Sequence, residues 1–261
     1  MSLPRFFLES QVLSNESEDV FELRLSEDDL HHAKVLRLAP GEHIAVIDGS
    51  SDYFECEIAS FDDGMFARIT GKDMAFPAVP SIAVYQALAK GDKVDSVIRH
   101  ATEVGATSFV PFSTSRTVVK LEGSKAQKRL ERWQSIAKSA AMQSGRRLIP
   151  EVHAIETFAQ ALQSLASFDS VIVFWEEAEA SCSLAQAVRD IKGDSEASCA
   201  LVVGPEGGLS EEEVDQLLSS NPHARLVTLG PNILRTETAG IVGCALACYE
   251  LGGMGNGEPS S

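Results

Sequence analysis

A chain of 261 residues that is 44% hydrophobic and 23% charged has the composition of a globular protein with one large or two modest cores. No apolar run approaches the roughly 20 residues that a membrane-spanning helix needs, which argues against an integral membrane protein. The first residues show neither the apolar core nor the cleavage site of a signal peptide, so we expect a cytoplasmic protein.

The formal net charge of −16 is distributed unevenly along the chain. Residues 1–75 contain 6 Lys or Arg against 16 Asp or Glu, and residues 148–261 contain 4 against 17. Residues 86–147 reverse this balance, with 12 basic side chains against 5 acidic ones. A basic segment between acidic flanks indicates a localised site for an anion, although a solvated basic helix face would give the same pattern.

The cysteines predict neither a disulfide framework nor a metal site. They form an odd set without a CxxC pair, and no His or acidic cluster accompanies Cys244 and Cys248, which share a helix face. We therefore expect buried, reduced thiols and no bound metal. The full set is Cys56, Cys182, Cys199, Cys244 and Cys248.

The N-terminal part of the chain predicts a small antiparallel β-barrel. Short strands are expected at 5–9, 43–48, 53–59 and 65–70, with a turn at Asp48-Gly49 between two of them. One helix should begin near Ser26, whose hydroxyl can cap it together with Asp29. We expect this domain to span residues 1–74, followed by a Pro-containing linker at 75–80.

Beyond residue 80, strands and helices alternate. Strands are expected at 82–88, 108–112, 170–175, 199–203 and 225–229, and helices at 91–104, 125–144 and 239–251. This alternation predicts an α/β domain whose mostly parallel sheet is covered by helices on both faces. The domain should span residues 80–252, with a flexible tail at 253–261.

A glycine-rich loop, Gly204-Pro205-Glu206-Gly207-Gly208, follows one buried strand and precedes a helix capped by Ser210 and Glu213. Ligands of parallel sheets bind beyond the carboxyl ends of strands, and glycines let a ligand lie against main-chain amides. The loop contains neither phosphate-binding nor dinucleotide-binding glycine spacing, and Glu206 would repel a phosphate. It suits S-adenosylmethionine, which has hydroxyls, an amine and a positive charge. A tight turn without a ligand is the alternative.

A second loop, 229–239, again follows a strand, begins with Gly-Pro and leads into a helix. We expect Thr236 or Thr238 to cap that helix and Glu237 to favour its positive end. The helix is nearly all apolar, so it should be buried in a core or a subunit interface. Arg235 lies at the ligand edge of the sheet, where a functional role is favoured over a surface salt bridge.

Together the two loops resemble the SPOUT class of methyltransferases, and within it the ribosomal RNA uridine-N3 methyltransferases. The resemblance covers most of the chain. Other matching positions are His31, Val35-Leu36-Arg37, Asp48-Gly49, Lys90-Gly91, 101–105, Arg116, Lys120, Trp133-Gln134 and Gly145-Arg146. Two positions depart from the pattern: Met142 stands where related sequences often have Glu, and His100 where Lys is common.

The resemblance implies a PUA-like N-terminal barrel and a SPOUT α/β domain with a trefoil knot. It also implies a homodimer that binds S-adenosylmethionine and methylates N3 of a uridine in 16S ribosomal RNA, either free or in the assembled small subunit. No membrane or metal partner is implied. A catalytically silent RNA-binding protein of the same fold is the first alternative. An enzyme that binds a nucleotide cofactor in an unknotted sheet is the second.

The resemblance also assigns roles to residues. Arg235 would stabilise negative charge on the uracil oxygens, and Glu237 is a weaker candidate for the base. The cofactor would contact Phe174, Trp175, Glu176, Val203, Gly204, Pro205, Glu206, Gly207, Gly208, Leu229, Gly230, Ile233, Leu234, Arg235 and Ala239. RNA would contact His31, Arg37, Lys90, Arg116, Lys120, Arg146 and Arg147.

Overall fold

The computed structural model describes residues 3–61, 64–73, 80–175 and 182–254. The chain forms two compact units. The first comprises Met1–Phe76 together with Ala141–Leu148, and the second comprises Pro77–Ala140 together with Ile149–Ser261. The sequence predicted one domain at 1–74 and another at 80–252. It did not predict that Ala141–Leu148 would belong to the first unit. Of the predicted linker only Pro80 belongs to the described residues, and of the predicted tail only Gly253 and Met254.

The N-terminal unit is built on a curled, five-stranded sheet. Its strands are β1 (Arg5–Phe7), β2 (Phe21–Leu23), β3 (His43–Ile47), β4 (Tyr53–Ser60) and β5 (Met65–Asp73), in the order β1-β3-β4-β5-β2. Three neighbouring pairs are antiparallel, but β1 runs parallel to β3. The prediction of a wholly antiparallel barrel is therefore wrong for β1 and β3. Strand β2 was not predicted.

Local capping in this unit follows the sequence prediction. Helix α1 (Glu27–Val35) begins after Ser26, whose Oγ accepts a 3.2 Å hydrogen bond from the Asp29 amide. The predicted turn is closed by Asp48, whose carboxylate accepts hydrogen bonds from the amides of Ser50 and Asp52, at 2.9 and 3.0 Å. A core that includes Phe6, Ile44 and Met65 lies beneath the sheet.

The second unit is the expected α/β domain with a parallel sheet. Its strands are β6 (Ser81–Ala87), β7 (Ser108–Phe112), β8 (Glu151–Val152), β9 (Ser170–Phe174), β10 (Ser198–Val203) and β11 (Ala224–Val227). They lie in the order β11-β9-β10-β6-β7-β8, and every neighbouring pair is parallel. The two-residue strand β8 was not predicted.

Helices cover both faces of this sheet. They are α2 (Lys93–Val104), α3 (Gly123–Ser144), α4 (Phe158–Leu165), α5 (Leu184–Ala187), α6 (Glu211–Ser220) and α7 (Thr236–Glu250). Alternate strand residues enter two separate cores: Val84 and Leu201 belong to one, Tyr85 and Val202 to the other. Helices α2, α3 and α7 pack in the first core, and α4 and α6 in the second. Within the described ranges, no helix combines the length and apolarity needed to cross a bilayer.

The strand order places a topological switch point between β6 and β10. From β6 the chain passes over one face to β7, whereas from β10 it passes over the other face to reach β11. The two connections therefore leave adjacent strands in opposite directions and open a crevice at their carboxyl ends, where ligands of such sheets bind.

Four of the five cysteines are buried, as predicted. Cys182 is the exception, because it is partly exposed. Burial raises the pKa of Cys56 and of Cys199 to about 12, so these two thiols are inert at neutral pH.

Candidate functional site

Two adjoining cavities, of about 220 and 60 Å³, lie at the carboxyl ends of β9 and β10 and beside the start of α7. Phe174, Ile233, Leu234 and Ala239 line both. The larger cavity is completed by Lys93, Val203, Gly204, Pro205, Glu206, Gly208, Leu209, Arg235 and Thr236. The smaller one is completed by Trp175, Thr228, Leu229, Gly230 and Asn232. Every predicted cofactor residue in the described ranges lines a cavity except Gly207, and Glu176 lies outside those ranges.

The glycine loop after β10 folds back tightly on itself. A Cβ atom on Gly204 would lie 3.1 Å from the amide nitrogen of Leu209 and 3.2 Å from the carbonyl carbon of Gly208. Gly208 itself has a φ of 68°, in the left-handed region that favours glycine. Both glycines are therefore required by the turn, which leaves main-chain groups accessible at the larger cavity.

The hydroxyl of Thr236 joins the second loop to the first. Its Oγ1 donates a 2.6 Å hydrogen bond to the carbonyl of Gly204 and accepts a 2.9 Å bond from Nε2 of Gln86. The predicted capping by Thr236 or Thr238 is therefore wrong: Arg235 occupies the N-cap position, without a side-chain cap. The hydroxyl of Thr236 is already engaged in the connection between the two loops.

Gln86 is a site residue that the sequence prediction missed. It is buried at the end of β6, and its amide links that strand to Thr236. Gly240 makes room for it, because a Cβ atom there would lie 2.7 Å from Oε1 of Gln86. The sequence signal that could have identified Gln86 is a single side-chain amide in the mostly apolar strand β6.

Glu206 closes the crevice between β6 and β10. Its Oε1 accepts hydrogen bonds from the main-chain amide of Lys90, at 2.9 Å, and from Nζ of Lys93, at 3.0 Å. Burial acts to raise the pKa of Glu206, but the bonds from Lys90, from its own amide and from Lys93 outweigh it and lower the pKa below its ordinary value. The carboxylate thus stays charged and fixes the glycine loop to the start of α2.

Lys93 is a second residue that was missed. Its Nζ lies 3.8 Å from Oε2 of Glu237, so its charge is shared between two carboxylates from different loops. Within the described residues, Oε2 of Glu237 is buried and accepts no hydrogen bond. Arg235, at the N-cap of α7, is exposed and lines the larger cavity together with Lys93.

Arg116 holds the glycine loop from the other side. Its Nη1 donates to the carbonyls of Gly207 and Leu209, at 2.9 and 3.2 Å. The adjacent Ser115 amide donates a 2.7 Å bond to Glu213 in the first turn of α6. Arg116 was predicted to contact RNA, and the structure shows that part of its guanidinium is engaged by the loop.

The other predicted RNA residues are divided between the two units. His31 and Arg37 are exposed in the first unit, where Arg146 and Arg147 are half-buried. Lys90 and Lys120 are exposed in the second unit. Lys120 lines a third cavity, of about 600 Å³, between residues 113–123 and the start of α3. None of the predicted cofactor residues lines that cavity.

The two departures from the family pattern have structural roles. Met142 packs against the core of the N-terminal unit. The Nδ1 atom of His100 lies 2.9 Å from the carbonyl of Ser96, one turn earlier in α2.

The residues around the two cavities fit S-adenosylmethionine. Lys93, Glu206 and Arg235 surround the larger cavity with charge, which suits a sulfonium and an amino-acid group. The smaller cavity has a neutral lining that includes Trp175 and Leu229, and it suits an adenine ring. The described residues contain no cluster of three His, Cys, Asp or Glu side chains that could hold a metal ion.

Comparison with known proteins agrees with this site. Residues 77–248 match the RNA methyltransferase domain family, and residues 25–64 match the RNA methyltransferase PUA domain family. The chain is 35% identical over 256 residues to the ribosomal RNA small subunit methyltransferase E of Bacillus subtilis, covering 95% of this chain and 97% of that protein.

Two solved structures with bound cofactor are also similar. One is the ribosomal RNA small subunit methyltransferase E of Neisseria gonorrhoeae bound to S-adenosylmethionine, with 29% identity and a TM-score of 0.78. The alignment covers 95% of this chain and 97% of that one. The other is a Legionella pneumophila methyltransferase in complex with the same cofactor, with 26% identity, a TM-score of 0.79 and coverage of 95% and 98%.

Proposed function

Because the chain belongs to the ribosomal RNA small subunit methyltransferase E family, we propose that it methylates N3 of a uridine in the 16S ribosomal RNA of the small subunit. It is an S-adenosylmethionine-dependent RNA methyltransferase with a PUA-like domain. The choice of uridine and of N3 is supported by the resemblance of both loops to uridine-N3 methyltransferases. An enzyme with this substrate would act in the cytoplasm.

The observation that carries the proposal is the pair of adjoining cavities at the carboxyl ends of β9 and β10. The glycine loop after β10, the end of β9 and the loop before α7 line them, and one cavity is charged whereas the other is neutral. We place the amino-acid end and sulfonium of the cofactor beside Lys93 and Glu206, and its adenine beside Trp175 and Leu229. The bound cofactor supplies an electrophilic methyl group.

The protein must make a weak nucleophile reactive. A neutral uridine N3 attacks poorly, so its proton must leave before or during attack. Arg235 is exposed and lines the charged cavity, where its guanidinium would stabilise the negative charge that develops on the uracil oxygens. Glu237 is the weaker candidate, for the role of base: its Oε2 accepts no hydrogen bond from the described residues, but it is buried and lies 3.8 Å from Nζ of Lys93.

RNA must reach this site with the target base unstacked, because N3 is hidden inside a helix. His31, Arg37, Arg146 and Arg147 would bind phosphates on the N-terminal unit. Lys90, Arg116 and Lys120 would do so on the catalytic unit.

A homodimer is also part of the proposal. Leu246 and Tyr249 on α7 are 43% and 64% exposed although the helix is mostly apolar. A second copy of the chain packed on this face would cover them.

One experiment tests the activity. The protein is incubated with labelled S-adenosylmethionine and small ribosomal subunits that lack the modification, and the labelled nucleoside is identified. We expect 3-methyluridine. Another labelled nucleoside would overturn the choice of atom or base. Retention of RNA without affinity for S-adenosylhomocysteine would identify a silent RNA-binding protein.

A further inference from the structure

The C-terminal end of α1 exposes two aliphatic side chains that the core of the N-terminal unit does not cover. Val35 and Leu36 are 64% and 44% exposed. Ala33 lies in that core and Leu38 packs against it, so the chain is anchored on both sides of the exposed pair. Single apolar side chains on a surface are ordinary, but two adjacent ones at a fixed position form a candidate contact surface.

Basic side chains flank this aliphatic pair. His31, Lys34 and Arg37 are exposed, and no Asp or Glu occurs between residues 30 and 41. Within the described residues, neither Lys34 nor Arg37 forms an ion pair. Residues 1–75 as a whole contain 6 basic and 16 acidic side chains, and Lys34 and Arg37 are two of those six. The end of α1 is therefore a local positive surface in an acidic unit, which favours an anionic partner.

The backbone at Arg37 adopts a conformation that favours glycine. Its φ is 57°, in the left-handed region, and Ser51 is the other non-glycine residue with a positive φ in the described ranges. The amides of Arg37 and Leu38 donate to the carbonyls of Lys34 and Ala33, which ends α1 and returns the chain to the core. Glycine is the usual residue at such a helix end, because a Cβ atom is disfavoured there. An arginine at this position indicates a role for its side chain.

RNA with unpaired bases matches both properties of this surface. Its phosphates bind cations, and the faces of its bases are available only where the strand is not stacked in a helix. A duplex would offer phosphates to Lys34 and Arg37 but would leave Val35 and Leu36 uncovered. Residues 25–64, which contain the surface, match the RNA methyltransferase PUA domain family, and this favours RNA over an acidic protein segment.

We propose that Lys34, Val35, Leu36 and Arg37 form a docking surface for an unpaired segment of ribosomal RNA. Lys34 and Arg37 bind phosphates, and Val35 and Leu36 contact the face of a base. The left-handed conformation of Arg37 keeps a cation directly beside the aliphatic pair, at a position where glycine would be favoured. The proposal rests on the proposed function in taking the strand from ribosomal RNA, and it deepens that function by selecting unpaired nucleotides.

Arg37→Gly tests the phosphate contact. The glycine relieves the backbone as it removes the cation, so the melting temperature should stay the same or rise while the affinity for unmodified 16S ribosomal RNA falls. The slope of log K against log salt should decrease by roughly 0.7 for the single lost contact with an unpaired strand. Ser51→Gly is the matched control, because it relieves the other left-handed non-glycine residue and should leave affinity and slope unchanged.

Val35→Ser and Leu36→Ser test the contact with a base. Each should lower the affinity for RNA about threefold or more, because apolar contact is lost, but should leave the salt slope unchanged, because no charge is lost. Ile69→Ser is the matched control, since Ile69 is an exposed apolar side chain on β5 of the same unit and lies outside the surface. Circular dichroism and the affinity for S-adenosylhomocysteine should be unchanged in every variant.

Competition experiments test the choice of an unpaired strand. A single-stranded RNA should displace ribosomal RNA from the unaltered protein more effectively than an RNA duplex of equal length. The double variant Val35→Ser/Arg37→Gly should lose this preference.

Equal salt slopes for Arg37→Gly and Ser51→Gly would overturn the phosphate contact, and equal affinities for Val35→Ser and Ile69→Ser would overturn the contact with a base. If all variants bind free RNA normally but bind assembled small subunits weakly, the surface docks a protein of the subunit and the proposal is wrong. These results would leave the methyltransferase activity in place. Failure of the unaltered protein to bind ribosomal RNA at all would instead overturn the proposed function.

Discussion

The ammonium of Lys93 lies 3.0 Å from the carboxylate of Glu206 and joins the start of α2 to the glycine loop after β10. These two elements are more than a hundred residues apart in sequence but adjacent at the switch point of the sheet. The pair therefore determines how rigidly the glycine loop is held beside the larger cavity.

Lys93→Met should weaken cofactor binding. Loss of the ion pair leaves Glu206 with only main-chain donors, and we expect affinity for S-adenosylhomocysteine to fall about three- to tenfold, since partly exposed pairs contribute about 1 kcal/mol. Isothermal titration calorimetry measures the change. Lys128→Met removes an exposed lysine on α3 and should have no effect. Equal affinities for the two variants would show that the pair does not hold the loop.

The contribution of Glu206 to stability should depend on pH. Its pKa in the folded protein is lower than its ordinary value of 4.5, so its charge stabilises the fold above pH 4.5. This contribution is lost as the pH falls through the lowered pKa. The difference in melting temperature between the unaltered protein and Glu206→Gln should stay constant from neutral pH to about 5 and then shrink below 4.5. A difference that grows on acidification would contradict the lowered pKa.

Thr236→Val should destabilise the catalytic unit. The valine removes a buried hydroxyl and leaves the Gly204 carbonyl and the Gln86 amide without this partner. We expect unfolding in urea to show a loss of about 2–3 kcal/mol, because buried groups without partners are costly. Thr236→Ser keeps the hydroxyl and should recover most of the stability. A serine variant as unstable as the valine variant would mean that the methyl group, and not the hydrogen bonds, matters.

Gly243→Ala should disturb both cavities through Phe174. The added Cβ atom would overlap the ring, since Cε2 and Cζ of Phe174 lie within van der Waals distance of that position. Such overpacking costs about 1–3 kcal/mol, and the displaced ring lines both parts of the cofactor site. Affinity for S-adenosylhomocysteine should fall at least about fivefold. The double variant Gly243→Ala/Phe174→Leu should regain part of this affinity, and no recovery would place the defect elsewhere.

Arg235→Ala should reduce methyl transfer by about a hundredfold or more, the usual effect of removing one stabiliser of developing negative charge. Affinity for S-adenosylhomocysteine should fall much less than the rate, although Arg235 also lines the charged cavity. Arg225→Ala on β11 is the control, because among the described residues Arg225 donates hydrogen bonds to the nearby carbonyls of Pro222 and Ala224. Single-turnover methylation of small subunits gives the rate. A normal rate in a folded Arg235→Ala protein would remove this residue from the mechanism.

Local patterns predicted most of the elements around the site. Helix α6 begins directly after Ser210 and has the capping box that Ser210 and Glu213 predicted, because both partners lie within one turn. The apolar runs at β7, β9 and β10 gave strands within one or two residues of those observed. The two loops were recognised because their glycines and prolines directly follow such runs.

Contacts between distant segments were not predicted. Gln86, Gly204 and Thr236 are brought together only because β10 inserts beside β6, and no local pattern contains that order. The same tertiary hydrogen bonds explain why the expected threonine cap of α7 was wrong. The parallel pairing of β1 with β3 likewise depends on how distant segments meet.

The N-terminal unit is discontinuous in sequence, because residues 141–148 belong to it although they follow the greater part of α3. A fragment that stops at residue 76 would lack Gly145 and Arg147, and Met142 would be missing from its core. Grafting this unit from one homologue onto another would consequently require two cuts and two donor segments. A chimera made at the linker alone would combine the barrel of one protein with the packing segment of the other.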